Sequence, residues 1–313
     1  MRPKKIIIID KIEKIGVRNL KRYFRIKYFG QKISNTELKN VYGLLVKTKI
    51  ISKNYLKKFE NLKIISKHGV GVDNIDLDYC DKLNIKIFIA ENANKITVAE
   101  HIFFMLLILA RNLLHYDQIT RSGNFLNDKK IKLSKELAYK KTLIFGFGRI
   151  GKEVAKRCLS FDMDTYAYDP YIDKKYFRLN KVKSIKKLEN LGSYDFILIC
   201  SSLTNKSKNF FNRKRLSSFK RGGIIINCSR GEIINEKDLN ILSKKKNFFA
   251  GIDVFKNEPP KKNEYLKNKN IFFSPHAATF TKECLERMSI QSCQNIISFY
   301  KNAKYKDNLF KRR

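Results

Sequence analysis

Acidic residues are scarce in this chain: 29 Asp and Glu stand against 66 Lys and Arg, a formal charge of +37 over 313 residues. Proline occurs only five times, and no Pro- or Ser-rich stretch reads as a tether, so any domain joints are expected at helix ends. Long apolar runs are missing too. The longest, Ile102 to Ala110, falls far short of the ~20 residues that span a bilayer. In MRPKKIIIID the apolar core is short and meets Asp10 at once, which speaks against a signal peptide. The six cysteines (Cys80, Cys158, Cys200, Cys228, Cys284 and Cys293) form no C-x-x-C and have no histidine at zinc spacing. No disulfide framework or metal site is expected, and a reducing cytoplasm is the natural compartment.

What is present is enough apolar material to fold: 43% of residues are hydrophobic, and at ~150 residues per domain the length suggests two domains. The positive charge raises nucleic-acid binding by counterion release. Fifty of the 66 basic residues are lysine, whereas bidentate phosphate and base readers favour arginine. The lysines are also scattered along the chain, so they read as a solvated surface.

Short runs rich in Ile, Val and Phe alternate with amphipathic stretches, the pattern of a parallel sheet wrapped by helices. Strands are expected at 5–10, 25–28, 42–46, 63–66 and 86–90, with helices at 53–59 and 77–83 between them. One long, largely apolar helix is expected from Thr97 to about Thr120. A second strand series follows at 141–145, 165–168, 196–200, 223–228, 249–254 and 271–274, and an amphipathic helix closes the pattern from Thr281 to about Asn302.

The stretch KTLIFGFGRIGKEVAKR carries the clearest chemistry. A strand runs into Gly146-x-Gly148-x-x-Gly151 and then a helix. The first glycine permits the tight turn, the second lets backbone approach a diphosphate, and the third lets helix and strand pack closely. A second strand ends in Asp169, at the spacing where an acid meets an adenosine ribose, favouring NAD over NADP. Three further strand ends add Arg230 in NCSRGEIIN, Asp253 and Glu258 in GIDVFKNEPP, and His276 in FFSPHAATF. Open α/β sheets bind ligands beyond the carboxyl ends of their strands, so these segments can converge.

In these motifs, together with KHGVGVDNIDL and TVAEH, the chain resembles the NAD-dependent D-2-hydroxyacid dehydrogenases, and most of all their phosphoglycerate-oxidising branch. The resemblance implies two doubly wound parallel-sheet α/β domains with an active-site cleft between them. One is a Rossmann-type cofactor domain at about 96–282. The other is a flavodoxin-like substrate domain at 1–95 with 283–313. It implies His276 as general acid–base, Glu258 as the partner that orients it, and Arg230 as the clamp on the substrate carboxylate. Val70 and Gly71 would offer amides to that carboxylate, and Lys47 and Lys67 would meet a substrate phosphate. NAD would be held by Gly146, Gly148, Arg149, Ile150, Gly151, Asp169, Thr204, Cys228, Ser229, Asp253, His276 and Ala277, with Asp253 on the nicotinamide carboxamide. The implied reaction is oxidation of D-3-phosphoglycerate to 3-phosphohydroxypyruvate, a step of serine biosynthesis, by a homodimer joined through the helix at Thr97. Reduction of glyoxylate, hydroxypyruvate or another small 2-keto acid, or NAD sensing by a co-regulator on the same scaffold, are the alternatives.

Some positions depart from the family. Lysines stand at 47 and 67 where arginine is frequent, CSSLT at 200–204 replaces a His-x-Pro-Leu-Thr loop, and Ala277–Ala278 replace glycines. No regulatory domain is expected beyond the closing helix. His68 and His101 are expected to pack or hydrogen-bond near the domain joint, and His115 to lie on a helix surface.

Overall fold

The computed structural model describes residues 3–31, 33–123, 132–188, 190–302 and 308–311. The chain divides into two compact units, residues 1–94 with 279–313 and residues 95–278.

In the first unit, β1 (Lys5–Ile8), β2 (Arg25–Tyr28), β3 (Val41–Val46), β4 (Ile64–Lys67) and β5 (Lys86–Ile89) form an all-parallel sheet in the order β2-β1-β3-β4-β5. Successive side chains of a strand point to opposite faces, and here both faces are apolar. Ile7, Leu44, Ile65 and Ile87 join one core, while Ile6, Ile8, Leu45, Ile64 and Phe88 join the other. A sheet buried on both sides needs unbroken runs such as KIII and VYGLLV, and helices to cover it. Among the described residues its helices are α1 (Lys14–Leu20), α2 (Asn35–Lys39), α3 (Lys53–Leu56), α4 (Leu77–Lys82) and α11 (Lys282–Tyr300). Between α4 and α11 the second unit supplies α5 (Lys95–Ala110), α6 (Leu113–Arg121), α7 (Arg149–Ser160), α8 (Lys174–Leu179), α9 (Arg213–Ser217) and α10 (Glu236–Lys246). One cover is the pair α1 and α11. They approach so closely that a Cβ on Gly16 would lie 2.3 Å from the Ser289 carbonyl oxygen.

The second unit holds β6 (Lys141–Phe145), β7 (Asp164–Tyr168), β8 (Lys183–Ser184), β9 (Phe196–Ile199), β10 (Ile224–Asn227), β11 (Phe249–Ile252) and β12 (Ile271–Phe273). Their order is β12-β11-β10-β9-β6-β7-β8, again all parallel. The order reverses between β6 and β9, the point where an open sheet leaves a crevice for a ligand. β8 is two exposed residues, too short and too polar to carry a strand pattern in the sequence.

The helix expected from Thr97 to Thr120 is two helices, α5 (Lys95–Ala110) and α6 (Leu113–Arg121), bent by 57°. Asn112 breaks it by adopting φ +50°, and its side-chain amide donates to the Lys132 and Leu133 carbonyls at 3.3 and 3.1 Å. Asparagine accepts the left-handed region more readily than most residues, so a run with helical composition still ends there. Among the described residues no single helix is long and apolar enough to cross a membrane.

Candidate active site

The glycine loop joins β6 to α7 (Arg149–Ser160) at the switch point. Gly146 has φ +98°, and a Cβ there would meet Ser201 Cα, just past β9, at 2.6 Å. A Cβ on Gly151 would strike the Gly146 carbonyl oxygen at 2.2 Å, whereas at Gly148 it would meet nothing within 4 Å. Two glycines therefore serve packing and the third faces open space. Gly148 is also the N-cap of α7, where no side chain makes a capping hydrogen bond. A helix N-terminus with a bare backbone approach suits a diphosphate. Arg149 and Ile150 open that helix. Asp169 lies beside the loop and accepts from the Phe147 and Tyr171 amides at 2.8 and 3.0 Å. It thus steadies the glycine turn, a task its spacing alone did not disclose.

On the far side of the switch point, Ser229 follows β10 and donates its hydroxyl to the Ile199 carbonyl at 2.9 Å. Asn227 holds the next turn, its amide donating to the Arg230 carbonyl at 2.9 Å and its oxygen accepting from Ser229 N–H at 3.1 Å. Gly231 lets this turn press on the chain after β11, since a Cβ there would lie 2.1 Å from the Phe255 carbonyl carbon. Thr204 lies in a tight turn with Ser207, whose hydroxyl accepts the Thr204 amide at 2.7 Å. Cys228 is buried against Met105, sulfur to sulfur 3.7 Å, and burial pushes its thiol well above the ordinary range.

The His276 turn is held by several hydrogen bonds. His276 has φ +53°, a conformation costing a residue with a side chain roughly 1–2 kcal/mol. Its Nδ1 lies 2.7 Å from Glu258 Oε2, and Glu258 Oε1 accepts from the Phe255 amide at 3.0 Å. Burial works to raise the Glu258 pKa, but the His276 hydrogen bond, the Phe255 amide and the charges of His276 and Arg230 together hold it below its ordinary value. Arg230 donates Nη1–H to the Ser229 carbonyl at 2.7 Å. Asp253, wholly buried, clamps the turn. Its carbonyl accepts the His276 amide at 2.7 Å, Oδ1 the Ala277 amide at 2.8 Å and Oδ2 the Ala278 amide at 3.1 Å. Burial again opposes ionisation, and contacts from His101, Ser274 and the Ala277 amide outweigh it, so its pKa lies below the ordinary carboxylate value.

His101, Cys228 and Asp253 bring potential ligand atoms within 4.8 Å of one another. Asp253 already accepts from the Ser274 hydroxyl and the Ala277 and Ala278 amides, and the Cys228 sulfur lies against that of Met105.

Both lowered carboxylates imply an acid limb. A carboxyl with a depressed folded-state pKa stabilises the fold above its unfolded value and loses that contribution as pH falls through the folded one. The ordinary values are 4.5 for Glu258 and 3.8 for Asp253. Urea midpoints should therefore hold steady down to that range and fall below it. Asp253→Asn should flatten the fall and lower the plateau.

In the first unit the strand order reverses between β1 and β3, and Asp10 sits at that point. Its carboxylate accepts from the Lys47 amide at 2.7 Å and the Thr48 hydroxyl at 2.8 Å. Nothing in the sequence pattern singled Asp10 out. Lys47 lies half-buried with its ammonium 5.8 Å from the Phe280 ring centre. Lys67 differs from its expected role. It is 7% exposed, and its ammonium donates to the Lys47 carbonyl and, at 2.6 Å, to Asn74 Oδ1. Asp10 and Lys67 thus pin the Lys47 backbone from both sides. Lys67→Ala should cost about 1–3 kcal/mol of stability by leaving that carbonyl unsatisfied, measured by urea unfolding. Val70 and Gly71 follow Gly69, at φ +139°, in the loop after β4.

The other histidines have separate fates. His68 is buried with its Nε2 3.4 Å from Glu13 Oε2, and burial and Lys47 push its pKa down against Glu13. His101 lies beside Ser274 and Asp253, at 3.2 and 3.4 Å. His115 is half-buried on α6, its ring 5.9 Å from that of Tyr116.

The second unit is thus a doubly wound, dinucleotide-binding α/β domain with a His–Glu pair and an arginine at its strand ends. Residues 103–278 match the family model described as D-isomer specific 2-hydroxyacid dehydrogenase, NAD binding domain, and the chain belongs to that family. Over 302 residues it is 31% identical to D-3-phosphoglycerate dehydrogenase of Bacillus subtilis, covering 95% of this chain and 57% of that protein. It therefore spans little more than half the length of that relative. It is 33% identical over 252 residues to hydroxypyruvate reductase of Thermotoga maritima, covering 79% of this chain and 80% of the relative. A crystal structure of D-lactate dehydrogenase from Aquifex aeolicus, complexed with NAD and lactic acid, superposes with a TM-score of 0.85 at 25% identity over 97% of this chain and 98% of that one.

Proposed function

We propose that the protein is an NAD-dependent dehydrogenase of D-2-hydroxy acids, with D-3-phosphoglycerate as substrate and 3-phosphohydroxypyruvate as product. The observation that carries the reaction class is the Glu258–His276 pair, 2.7 Å apart, beside Arg230. Glu258 takes Nδ1, which leaves Nε2 to receive the proton of the substrate C2 hydroxyl or return it to the keto oxygen. NAD, when bound, supplies the hydride acceptor or donor. Arg230 holds the substrate carboxylate in a two-pronged grip and stabilises negative charge on the C2 oxygen. The glycine loop and the first turn of α7 take the diphosphate, and Asp169 meets the adenosine ribose. Asp253 and the Cys228–Ser229 backbone lie toward the nicotinamide. In the first unit, which serves the substrate, Val70 and Gly71 present amides and Lys47 supplies the positive charge for a phosphate. Lys67 acts by holding Lys47 in place.

Support for the phosphorylated substrate is the B. subtilis relative and a Lys47 backbone fixed by Asp10 and Lys67. The second reading, reduction of hydroxypyruvate or glyoxylate, is favoured by the T. maritima relative, of which this chain covers 80%. A homodimer through the second unit accords with exposed Phe104, Leu113 and Leu114 on α5 and α6, and the cytoplasm with cysteines that are mostly buried thiols. The deciding experiment is turnover of 3-phosphoglycerate, hydroxypyruvate, glyoxylate and D-lactate with NAD(H) and NADP(H). A kcat/KM highest for 3-phosphoglycerate with NAD is expected. Turnover of none would remove the enzyme reading, and preference for NADP would remove the role given to Asp169.

A further inference from the structure

Resting on that reading, we propose that His101 is a positioning residue for His276, acting through Ser274 and Asp253. Its Nε2 lies 3.2 Å from Ser274 Oγ and 3.4 Å from Asp253 Oδ1, and Ser274 Oγ lies 2.5 Å from the same oxygen. A carboxylate offers no proton, so the Ser274 hydroxyl donates to Asp253 and accepts from His101, whose proton then stands on Nε2. The chain of donors runs from α5 through Ser274 to Asp253. The Asp253 carboxylate also accepts the Ala277 and Ala278 amides, and its backbone carbonyl accepts that of His276.

This arrangement matters because His276 occupies φ +53°, an uncommon conformation for a residue with a side chain. The imidazole points at Glu258 only while the clamp keeps that turn. Asp253 Oδ1 serves both the Ala277 amide and Ser274. Ser274 in turn is oriented by the His101 N–H. With that donor gone the hydroxyl turns away, and the buried carboxylate swings to recover a partner. The turn then relaxes and His276 loses its aim. His101 is on α5, and its role passes through the clamp and not through the substrate.

The test compares His101→Gln, His101→Phe and Ser274→Ala in the whole chain. Gln keeps an N–H donor, whereas Phe keeps the ring volume without one. The first readout is kcat and KM with NADH and each of hydroxypyruvate, glyoxylate and 3-phosphohydroxypyruvate. The second is the downfield NMR resonance of the His276 Nδ1 proton bonded to Glu258, assigned by its loss in His276→Asn. Misplaced reacting groups lose rate steeply, so His101→Phe and Ser274→Ala should lower kcat about tenfold or more, raise the KM for NADH because the relaxed turn and Asp253 also face the cofactor, and lose the resonance. His101→Gln should keep both. Equal losses in the Gln and Phe variants, or a wild-type kcat and resonance in His101→Phe, overturn the proposal. Should the unmodified protein turn over none of the acids, the dehydrogenase reading falls, while the resonance still decides the positioning role.

Discussion

Replacing His276 with Asn should lower kcat for the favoured acid by about 10²–10⁴-fold, the range of a lost general acid–base, with NADH affinity unchanged. Asparagine is the right replacement because position 276 sits at φ +53°, and asparagine tolerates that region better than alanine. The clamp by Asp253 uses backbone amides of 276, 277 and 278, so the turn survives and only the imidazole is lost. Steady-state kinetics and NADH fluorescence titration separate the two effects. Near-normal turnover would remove the acid–base assignment, while a parallel loss of NADH binding would mean that the turn itself had collapsed.

Gly151→Ala should destabilise the second unit by about 1–3 kcal/mol or more, the cost of overpacking a filled interior, and weaken NADH binding with it. The added Cβ would lie 2.2 Å from the Gly146 carbonyl oxygen, so α7 must move off β6 and carry the diphosphate-facing turn away. Gly148→Ala is the counterpart. Its Cβ meets nothing within 4 Å and the residue already has ordinary extended backbone, so folding stability should be unchanged while NADH binding weakens. Urea midpoints and NADH titrations of the two variants therefore dissociate. Equal destabilisation would mean that Gly148 packs and does not face a ligand.

Much of the frame could be read directly from the chain. Runs such as the III of KIII, the LIF of KTLIF and the III of IIIN are apolar at successive positions, which in a strand means both faces are covered, and that points to a parallel sheet between helix layers. Gly146, Gly148 and Gly151 were legible as a spaced motif between a strand and a helix, although Gly148 has ordinary extended backbone and Gly146 is also set by Ser201 across the sheet. Arg230, Glu258 and His276 were legible as residue types that follow strands, where an open sheet presents its ligands. The break at Asn112 was not, because Asn tolerates a helix and becomes a stop only when its amide finds the Lys132 and Leu133 carbonyls.

What only the tertiary structure decided are tasks that depend on partners distant in sequence. Asp253 looked like a cofactor ligand and is also the clamp on the His276 turn, over twenty residues away. Asp10 looked like the end of a strand, yet it fastens the Lys47 loop from 37 residues away. Lys67 and Lys47 are equivalent as charges in the sequence. Burial separates them, committing one ammonium to Asn74 Oδ1 and a backbone carbonyl. Periodicity and spacing report which face a residue occupies and which backbone angles it permits. Which hydrogen bonds a buried polar group makes is settled by what the fold brings beside it, because a buried donor or acceptor must be satisfied wherever it lands.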